Sequence, residues 1–171
     1  MPSVEQLGHV GLYARDLDRM RAFYEQTIGL TVTDEVPEAG LVFMSARPDS
    51  EHHELLLIAQ GETGKPGARL NQVSFRCASL ADVHEYWELL RAESVPIEMV
   101  VSHGNAVGVY FLDPEGNTVE VYWDTGLAAR QPFMQSLDFE RPLHEVLELV
   151  EATARAHADT GFVSPEFQPA G

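Results

Sequence analysis

The hydrophobic and polar positions of this chain follow the same order twice. When the sequence is shifted so that Gln72 lies on His9, the runs that begin at these two residues both alternate as half-buried strands do. Each run is followed by a polar residue that can cap a helix, Asp16 in the first copy and Ser79 in the second. Apolar residues then recur on one helical face in both copies: Leu17, Met20, Phe23 and Tyr24, and Leu80, Val83, Tyr86 and Trp87. This shared register indicates a duplication.

Three short strand-like runs follow each predicted helix, so each copy is predicted to be a βαβββ module and the chain to be an α+β protein. Module one covers 5–59 and module two covers 70–124. A segment rich in glycine and polar residues at 60–67 is the predicted linker, and Asp113–Asn117 has the composition of a turn. The predicted strands after the helices lie near 30–36, 41–46, 53–59, 96–101, 107–112 and 118–123.

Residues 125–171 lie outside the repeat. Two prolines mark 125–142 as irregular, while apolar residues at helical spacing from Leu143 to Val150 predict a short amphipathic helix. We therefore expect a C-terminal helical extension. The pattern is compatible with an extension that covers the modules, joins an interface between two chains or lies apart.

Composition excludes several classes of partner. The 171 residues carry 11 Lys and Arg against 27 Asp and Glu, a net charge of −16, which argues against nucleic acid and anionic membranes as partners. No apolar run is long enough to span a bilayer, and the N-terminus lacks a signal-peptide pattern. The single cysteine, Cys77, lies on the predicted core face and cannot form an internal disulfide, which favours a reducing, cytoplasmic location.

Alternation sorts the polar residues of the strands onto the faces opposite the helices. His9, Gln72 and Glu120 all fall on these faces. A hairpin that turns at 113–117 places Tyr110 opposite Glu120, with their Cβ atoms about 5 Å apart. Two such faces that meet would enclose a pocket lined by all four side chains. The histidines on predicted helices are instead expected to be solvated: His84, His144 and His157.

Three motifs carry a family resemblance: LGHVGLYARDLDRMRAFYEQTIGL at 7–30, HHELLLI at 52–58 and SHGNAVGVYFLDPEGNTVEVY at 102–122. Over roughly 5–124 the chain resembles the vicinal oxygen chelate superfamily of glyoxalases, bleomycin resistance proteins and extradiol dioxygenases. Its one-domain extradiol ring-cleaving dioxygenases look most similar. The resemblance implies paired βαβββ modules that form a cup-shaped open barrel around a divalent metal, here with a C-terminal helical extension.

The resemblance also implies a set of metal ligands. Extradiol enzymes hold Fe(II), less often Mn(II) or another divalent metal, with two histidines and one carboxylate. By position these are His9, Gln72 in place of the second histidine, and Glu120. An amide oxygen is a poorer ligand for Fe(II) than imidazole, although glutamine is a ligand in some glyoxalase-type members. Gln72 is therefore either the third ligand or a structural amide, and a metal-free site is the remaining alternative.

The residues implied to act on substrate are His53, His103 and Tyr110. They match an acid-base histidine, a histidine that bonds the substrate hydroxyl and a tyrosine that positions the diol, and imidazole titrates near neutrality. The alternatives are that both histidines are surface residues and that the tyrosine only packs. Alternation does not decide between His52 and its neighbour. In glyoxalase-type isomerases a carboxylate stands near position 56, which here is leucine, so Glu54 would have to serve instead.

The implied function is oxidative cleavage of a catechol-type ring in aromatic degradation, with a small aromatic diol and O2 as partners. One alternative is a glyoxalase-type isomerase or lyase that acts through an enolate. Another, from a different class, is a non-catalytic small-molecule-binding protein without metal. The family also implies a homodimer, since such modules leave strand edges open.

Overall fold

The computed structural model describes residues 2–60, 70–112, 116 and 118–167. The predicted linker apart from Gln60, and the predicted turn apart from Gly116, lie outside the described residues. The described helices are α1 (Leu17–Phe23), which a π-helical turn at Tyr24–Ile28 continues, α2 (Leu80–Ala92) and α3 (Leu143–His157). The described strands are β1 (Val4–Ala14), β2 (Thr31–Val36), β3 (Leu41–Ser45), β4 (Leu55–Ala59), β5 (Leu70–Cys77), β6 (Ile97–Ser102), β7 (Ala106–Leu112), β8 (Thr118–Asp124), β9 (Phe133–Ser136) and β10 (Phe162–Val163).

The order of elements confirms the duplicated module. One strand, one helix and three strands follow each other as β1, α1, β2–β4 and again as β5, α2, β6–β8. Both predicted helix caps are present: Asp16 accepts a hydrogen bond from the backbone N–H of Arg19 at 3.0 Å, and Ser79 accepts one from Asp82 at 3.2 Å. Each cap satisfies an N–H group at the helix start that has no partner within the helix, worth about 1 kcal/mol. The α+β fold class is therefore confirmed.

The chain divides into two compact units. The first is Gly8–Ser74, and the second contains the described residues before Gly8 and from Phe75 onward. In the first unit the strands run in the order β5-β1-β4-β3-β2, with β4 parallel to β1 and antiparallel to β3. One sheet face packs against α1 through a buried cluster, as the alternation predicts, and this cluster contains Val42, Met44, Leu55 and Leu57 with Leu12, Leu17 and Met20 at its edge.

The second unit repeats this arrangement with an additional helix. Its strands run β10-β9-β6-β7-β8, with β7 antiparallel to both β6 and β8. Helices α2 and α3 contribute to one buried cluster over the same face of this sheet. The opposite face is left for polar side chains. The cluster contains Leu80, Val83, Val107, Val109, Val121, Val146 and Val150.

The C-terminal extension is more regular than predicted. The segment 125–142 contains β9, which pairs antiparallel with β6, and β10 then pairs parallel with β9. A four-residue strand has little alternation to reveal it, and it forms because β6 offers an unpaired edge. Helix α3 is also longer than the predicted run from Leu143 to Val150. The extension therefore continues the sheet of the second unit and covers its helical side.

Two of the three helix histidines are not solvated as predicted. The Nε2 atom of His84 lies 3.1 Å from the carbonyl oxygen of Phe139, and the ring also packs against Trp87. His157 is half-buried against Phe162, whereas His144 is exposed. The extension causes both corrections, because Phe139 covers a surface of α2 that the repeat alone would expose and Phe162 packs back against α3. None of the described helices combines the length and the apolar character needed to cross a bilayer.

Cys77 lies in the buried cluster of the second unit, which confirms its predicted position on the core face. Burial, with smaller contributions from the carboxylates of Asp82 and Glu5, raises the pKa of this thiol to about 11. The thiolate, which is the reactive form, is therefore scarce at neutral pH. Cys77 acts as a small apolar residue.

We expect Cys77 to react with a disulfide reagent only when the protein unfolds. At about pH 8 the native thiol should react at least about 100-fold more slowly than in guanidinium chloride, because burial suppresses both access and thiolate formation. Stopped-flow absorbance of the released thiol measures both rates. Rapid labelling of the native protein would contradict this account of the residue.

Candidate active site

His9 lies on the face of β1 that is turned away from the buried cluster of its unit. The residue is buried, and its ring centroid is 4.2 Å from that of His53, in the turn before β4. Phe43 on β3 also contacts the His53 ring, at 5.1 Å between centroids. Within the first unit, the structure therefore brings together two of the residues predicted to have a role in chemistry.

Gln72 on β5 contacts the same histidine. Its amide nitrogen lies 3.0 Å from His9 Nε2 and donates a second hydrogen bond to Ser74 Oγ at 2.9 Å. An amide N–H can only donate, so His9 Nε2 accepts and the neutral ring carries its proton on Nδ1. The Nε2 lone pair is also the one that would bind a metal. Metal ligation through His9 Nε2 and this hydrogen bond therefore exclude each other.

The two neighbouring histidines have different surroundings. The ring of His53 faces His9 and Phe43, whereas Nε2 of His52 lies 3.7 Å from a carboxylate oxygen of Asp34 on β2. The two rings share a hydrogen bond of 2.9 Å between their Nδ1 atoms. Of this pair, His53 is thus the one beside His9, which alternation along the sequence could not decide.

Glu54 does not supply the carboxylate that an isomerase would need. Its oxygens accept hydrogen bonds from the guanidinium of Arg47 at 2.8 Å, the hydroxyl of Ser45 at 3.1 Å and the backbone N–H of Ala46 at 2.9 Å. The hydrogen bond from Arg47 is the main cause that lowers the pKa of the Glu54 carboxyl. This carboxylate is therefore a poor proton acceptor that ties the end of β3 to the start of β4.

In the second unit, the register of the last hairpin confirms the predicted pair of Tyr110 and Glu120. Both side chains are buried, and Glu120 is only 2% exposed. A Cβ atom at Gly108 would lie 2.5 Å from Glu120 Oε1, so the glycine provides the space that the carboxylate occupies. A buried carboxylate is costly without a cation or hydrogen-bond donors. Strand β7 is therefore shaped around this charge.

His103 links the strand pair to the C-terminal extension. Its Nδ1 atom lies 2.9 Å from the carbonyl oxygen of Phe133, and its Nε2 atom lies 3.0 Å from the hydroxyl of Tyr110. A carbonyl only accepts, so Nδ1 carries the proton and Nε2 accepts the hydrogen bond from the tyrosine. The phenol of Tyr110 is therefore oriented by a histidine whose tautomer is fixed from β9.

Two residues that were not predicted, Gln131 and Gly108, also shape these arrangements. Gln131 donates to the carbonyl of His103 at 3.0 Å and accepts from the N–H of Phe133 at 3.1 Å, which holds the extension against the His103 loop. No local pattern signals contacts between residues about thirty positions apart. Gly108, in contrast, stands in an otherwise apolar strand, and such a glycine is a known signal of close approach.

The chain belongs to the Glyoxalase/Bleomycin resistance protein/Dioxygenase superfamily, whose family model matches residues 6–121. Biphenyl-2,3-diol 1,2-dioxygenase 2 of Rhodococcus globerulus is 27% identical over 128 residues, which are 72% of this chain and 65% of that protein. A 1,2-dihydroxynaphthalene dioxygenase of Sphingobium xenophagum is 28% identical over 141 residues, 78% of this chain and 44% of that protein. The chain thus spans two thirds or less of these relatives.

Solved structures share the fold. A catechol 2,3-dioxygenase superposes with a TM-score of 0.61 at 26% identity, over 83% of this chain and 43% of that chain. A Mn(II)-bound glyoxalase from Novosphingobium aromaticivorans superposes with a TM-score of 0.63 at 18% identity, over 99% of this chain and 51% of that chain. The vicinal oxygen chelate fold inferred from the resemblance is therefore confirmed.

The predicted ligands suit a divalent metal in their chemistry. His9 has its lone pair on Nε2, Gln72 offers an amide oxygen, and Glu120 offers a carboxylate in a space that Gly108 leaves open. Imidazole and oxygen donors are common ligands of Fe(II) and Mn(II). Throughout the described part of the chain, no group of three or more His, Cys, Asp or Glu side chains is arranged to hold a metal. Among the described residues, a set of three protein ligands would therefore have to include another residue type, such as Gln72.

The ion pair of Glu54 predicts a pH-dependent contribution to stability. Because the folded state lowers the pKa of this carboxyl, the stabilisation is present at neutral pH and is lost as the pH falls through the lowered pKa. Glu54→Gln should therefore be less stable than the parent protein near neutral pH and similar to it in strong acid. Urea unfolding across pH measures the difference. Glu38→Gln, at an exposed carboxylate, is the control and should show no such trend.

Proposed function

We propose that this chain is an extradiol-dioxygenase-like metalloenzyme that cleaves a catechol-type ring with O2. The names of the two dioxygenase relatives support an aromatic diol as the class of substrate. The observation that carries the choice within the superfamily is the position of Glu54. This carboxylate is held by Arg47, and Leu56 stands near the position at which the family resemblance implies a carboxylate in glyoxalase-type isomerases. The first unit thus lacks a carboxylate base for isomerase chemistry at these two positions.

We assign His9, Gln72 and Glu120 as ligands of Fe(II), with Mn(II) as the alternative. A bound metal would supply open coordination positions for a catecholate and O2. His9 has the tautomer that ligation through Nε2 requires, and Gln72 must rotate its amide to present oxygen instead of nitrogen. Because that rotation breaks two hydrogen bonds, we expect weaker metal affinity than in a site with two histidines.

The remaining residues are assigned to the diol. His53 accepts a proton from the substrate hydroxyl, which a catechol must lose to become a chelating ligand. The Tyr110 hydroxyl donates a hydrogen bond to His103. Its oxygen therefore has lone pairs that can accept a hydrogen bond from the second hydroxyl of the diol. His103 then acts with the tyrosine as one hydrogen-bonded pair. These assignments follow the family positions of the three residues.

One observation favours a second candidate, a small-molecule-binding protein without metal. The hydrogen bonds from Gln72 to His9 and Ser74 satisfy these buried groups without any ion. A protein that binds its ligand through this polar face would need no open coordination positions. Metal binding therefore separates the two candidates.

Anaerobic loading followed by exposure to a diol and O2 tests the proposal. Protein prepared without chelators is loaded with Fe(II) or Mn(II), and 2,3-dihydroxybiphenyl or catechol is added with O2. We expect the yellow ring-fission product, with turnover lowered on the order of 10²-fold or more in Glu120→Gln and unchanged in His144→Ala. Absence of both metal binding and product, with diol binding retained, would favour the second candidate.

Gln72→His tests the assigned ligand directly. Since imidazole binds Fe(II) better than an amide does, this variant should bind the metal more tightly than the parent protein. Competition with a metal indicator measures both affinities. An unchanged affinity would show that residue 72 does not contact the metal.

Gly108→Ala tests whether the space around Glu120 matters for the metal. The added methyl group would displace the carboxylate, so metal affinity should fall by about 10–100-fold, the loss typical when the support of a ligand is removed. Isothermal titration with Mn(II) gives the affinity, and circular dichroism checks the fold. Glu120→Gln provides the reference for complete loss of the charge. Parent-like affinity in a folded Gly108→Ala protein would argue against Glu120 as a ligand.

The proposal also includes a cytoplasmic homodimer. The single buried cysteine suits a reducing compartment, and the homodimer follows from the family resemblance. Analytical ultracentrifugation at micromolar concentration measures the oligomeric state.

A further inference from the structure

We propose that His52 and Asp34 are positioning residues that fix the tautomer of His53, with the proton on Nδ1 and the lone pair on Nε2. This inference rests on the proposed function for its consequence, because a lone pair on Nε2 is what a base acting on a diol needs. The contacts that support it lie within the first unit. They join a line of three side chains, Asp34, His52 and His53, that leads from β2 to the ring of His9.

The line begins with a carboxylate. Asp34 Oδ2 lies 3.7 Å from His52 Nε2, too far for a direct hydrogen bond but close enough for electrostatic attraction. A negative charge at this place favours a proton on the nearer nitrogen. In the neutral ring of His52 the proton therefore lies on Nε2, and Nδ1 carries the lone pair.

The second link passes this preference to His53. The two Nδ1 atoms are 2.9 Å apart, so one must donate and the other must accept. Since His52 Nδ1 carries a lone pair, His53 Nδ1 must carry the proton, which leaves the lone pair of His53 on Nε2. The opposite assignment would place the His52 proton on Nδ1 and turn the lone pair of His52 Nε2 toward the Asp34 carboxylate, which is unfavourable. His53 would then carry its proton on Nε2 and be a donor toward substrate.

Further contacts hold the two rings in this geometry. Thr33 donates from its hydroxyl to the carbonyl oxygen of His52, which ties the turn before β4 to β2. The ring of Phe43 lies 5.0 Å from the ring of His52 and 5.1 Å from that of His53. Because Phe43 packs against both rings, it restricts their rotation and so helps to hold the hydrogen bond between them.

Histidine tautomers can be observed without any activity. In protein labelled with ¹⁵N at histidine, two-bond correlations separate protonated from bare ring nitrogens, and a His53→Gln variant identifies the signals of His53. We expect the metal-free protein to show His53 with a protonated Nδ1 and a bare Nε2. His52→Ala and Asp34→Asn should each move a measurable fraction of His53 to the other tautomer.

His52→Asn is the conservative variant and His144→Ala the matched control. Asparagine offers a carbonyl oxygen that can accept from His53 Nδ1, so it should restore the tautomer that alanine loses. His144 is exposed on α3, and its replacement should leave the His53 signals unchanged. The proposal is overturned if His53 in the parent protein carries its proton on Nε2, or if neither His52→Ala nor Asp34→Asn alters its tautomer.

Kinetics then separate this proposal from the proposed function. If ring cleavage is found, His52→Ala should lower kcat on the order of 10²-fold with KM little changed, and His52→Asn should recover most of the loss. A His52→Ala enzyme with an altered His53 tautomer but a parent-like kcat would refute the claim that this tautomer matters for ring cleavage. If no ring cleavage is found at all, the proposed function fails, while the tautomer measurement still decides the assignment of His52 and Asp34.

Discussion

In each unit the strands pack only one of their faces against helices, and this one-sided burial decides where polar residues can lie. In the first unit Leu12 on β1 lies beside Leu57 on β4 and packs toward α1, so His9, three residues earlier on β1, must point away from it. In the second unit Val109 and Val121 point toward the helices, so Tyr110 and Glu120 share the other face. A shift of one residue in the register of either strand would turn its apolar side chains to the polar face and its polar side chains toward the helices.

Key side chains on the polar faces are already hydrogen-bonded to one another. The His9 ring is already committed through Nε2 to an amide, and the Tyr110 hydroxyl is committed to an imidazole. These hydrogen bonds satisfy buried groups and fix tautomers. A ligand that binds to the same atoms must replace them. Gln72 is the residue at which this exchange matters most, because one end of its amide holds His9 in place and only the other end could bind a metal. At Gln72, the hydrogen bond that orients His9 and the affinity for a metal would therefore oppose each other.

Local sequence patterns were sufficient for the modules, the helix caps and the Tyr110–Glu120 pair, because each depends on neighbours in the chain or on the symmetry of a hairpin. They were insufficient where a distant segment decides. Strand β9 forms only because β6 has an open edge, and His84 is covered only because the extension returns to α2. The orientation of His52 and His53 likewise depends on contacts with β2 and β3, since the turn that holds them has no periodicity.

The bond from His103 to Phe133 has a consequence for how this protein can vary. The acceptor is a main-chain oxygen, which every amino acid at position 133 would still provide. Point mutation there would change the packing of a ring without abolishing the acceptor. The orientation of the Tyr110 phenol therefore does not depend on which side chain is present at position 133. Only insertion, deletion or detachment of the strand would release it, so this part of the polar face should tolerate substitution far better than it tolerates a change of length.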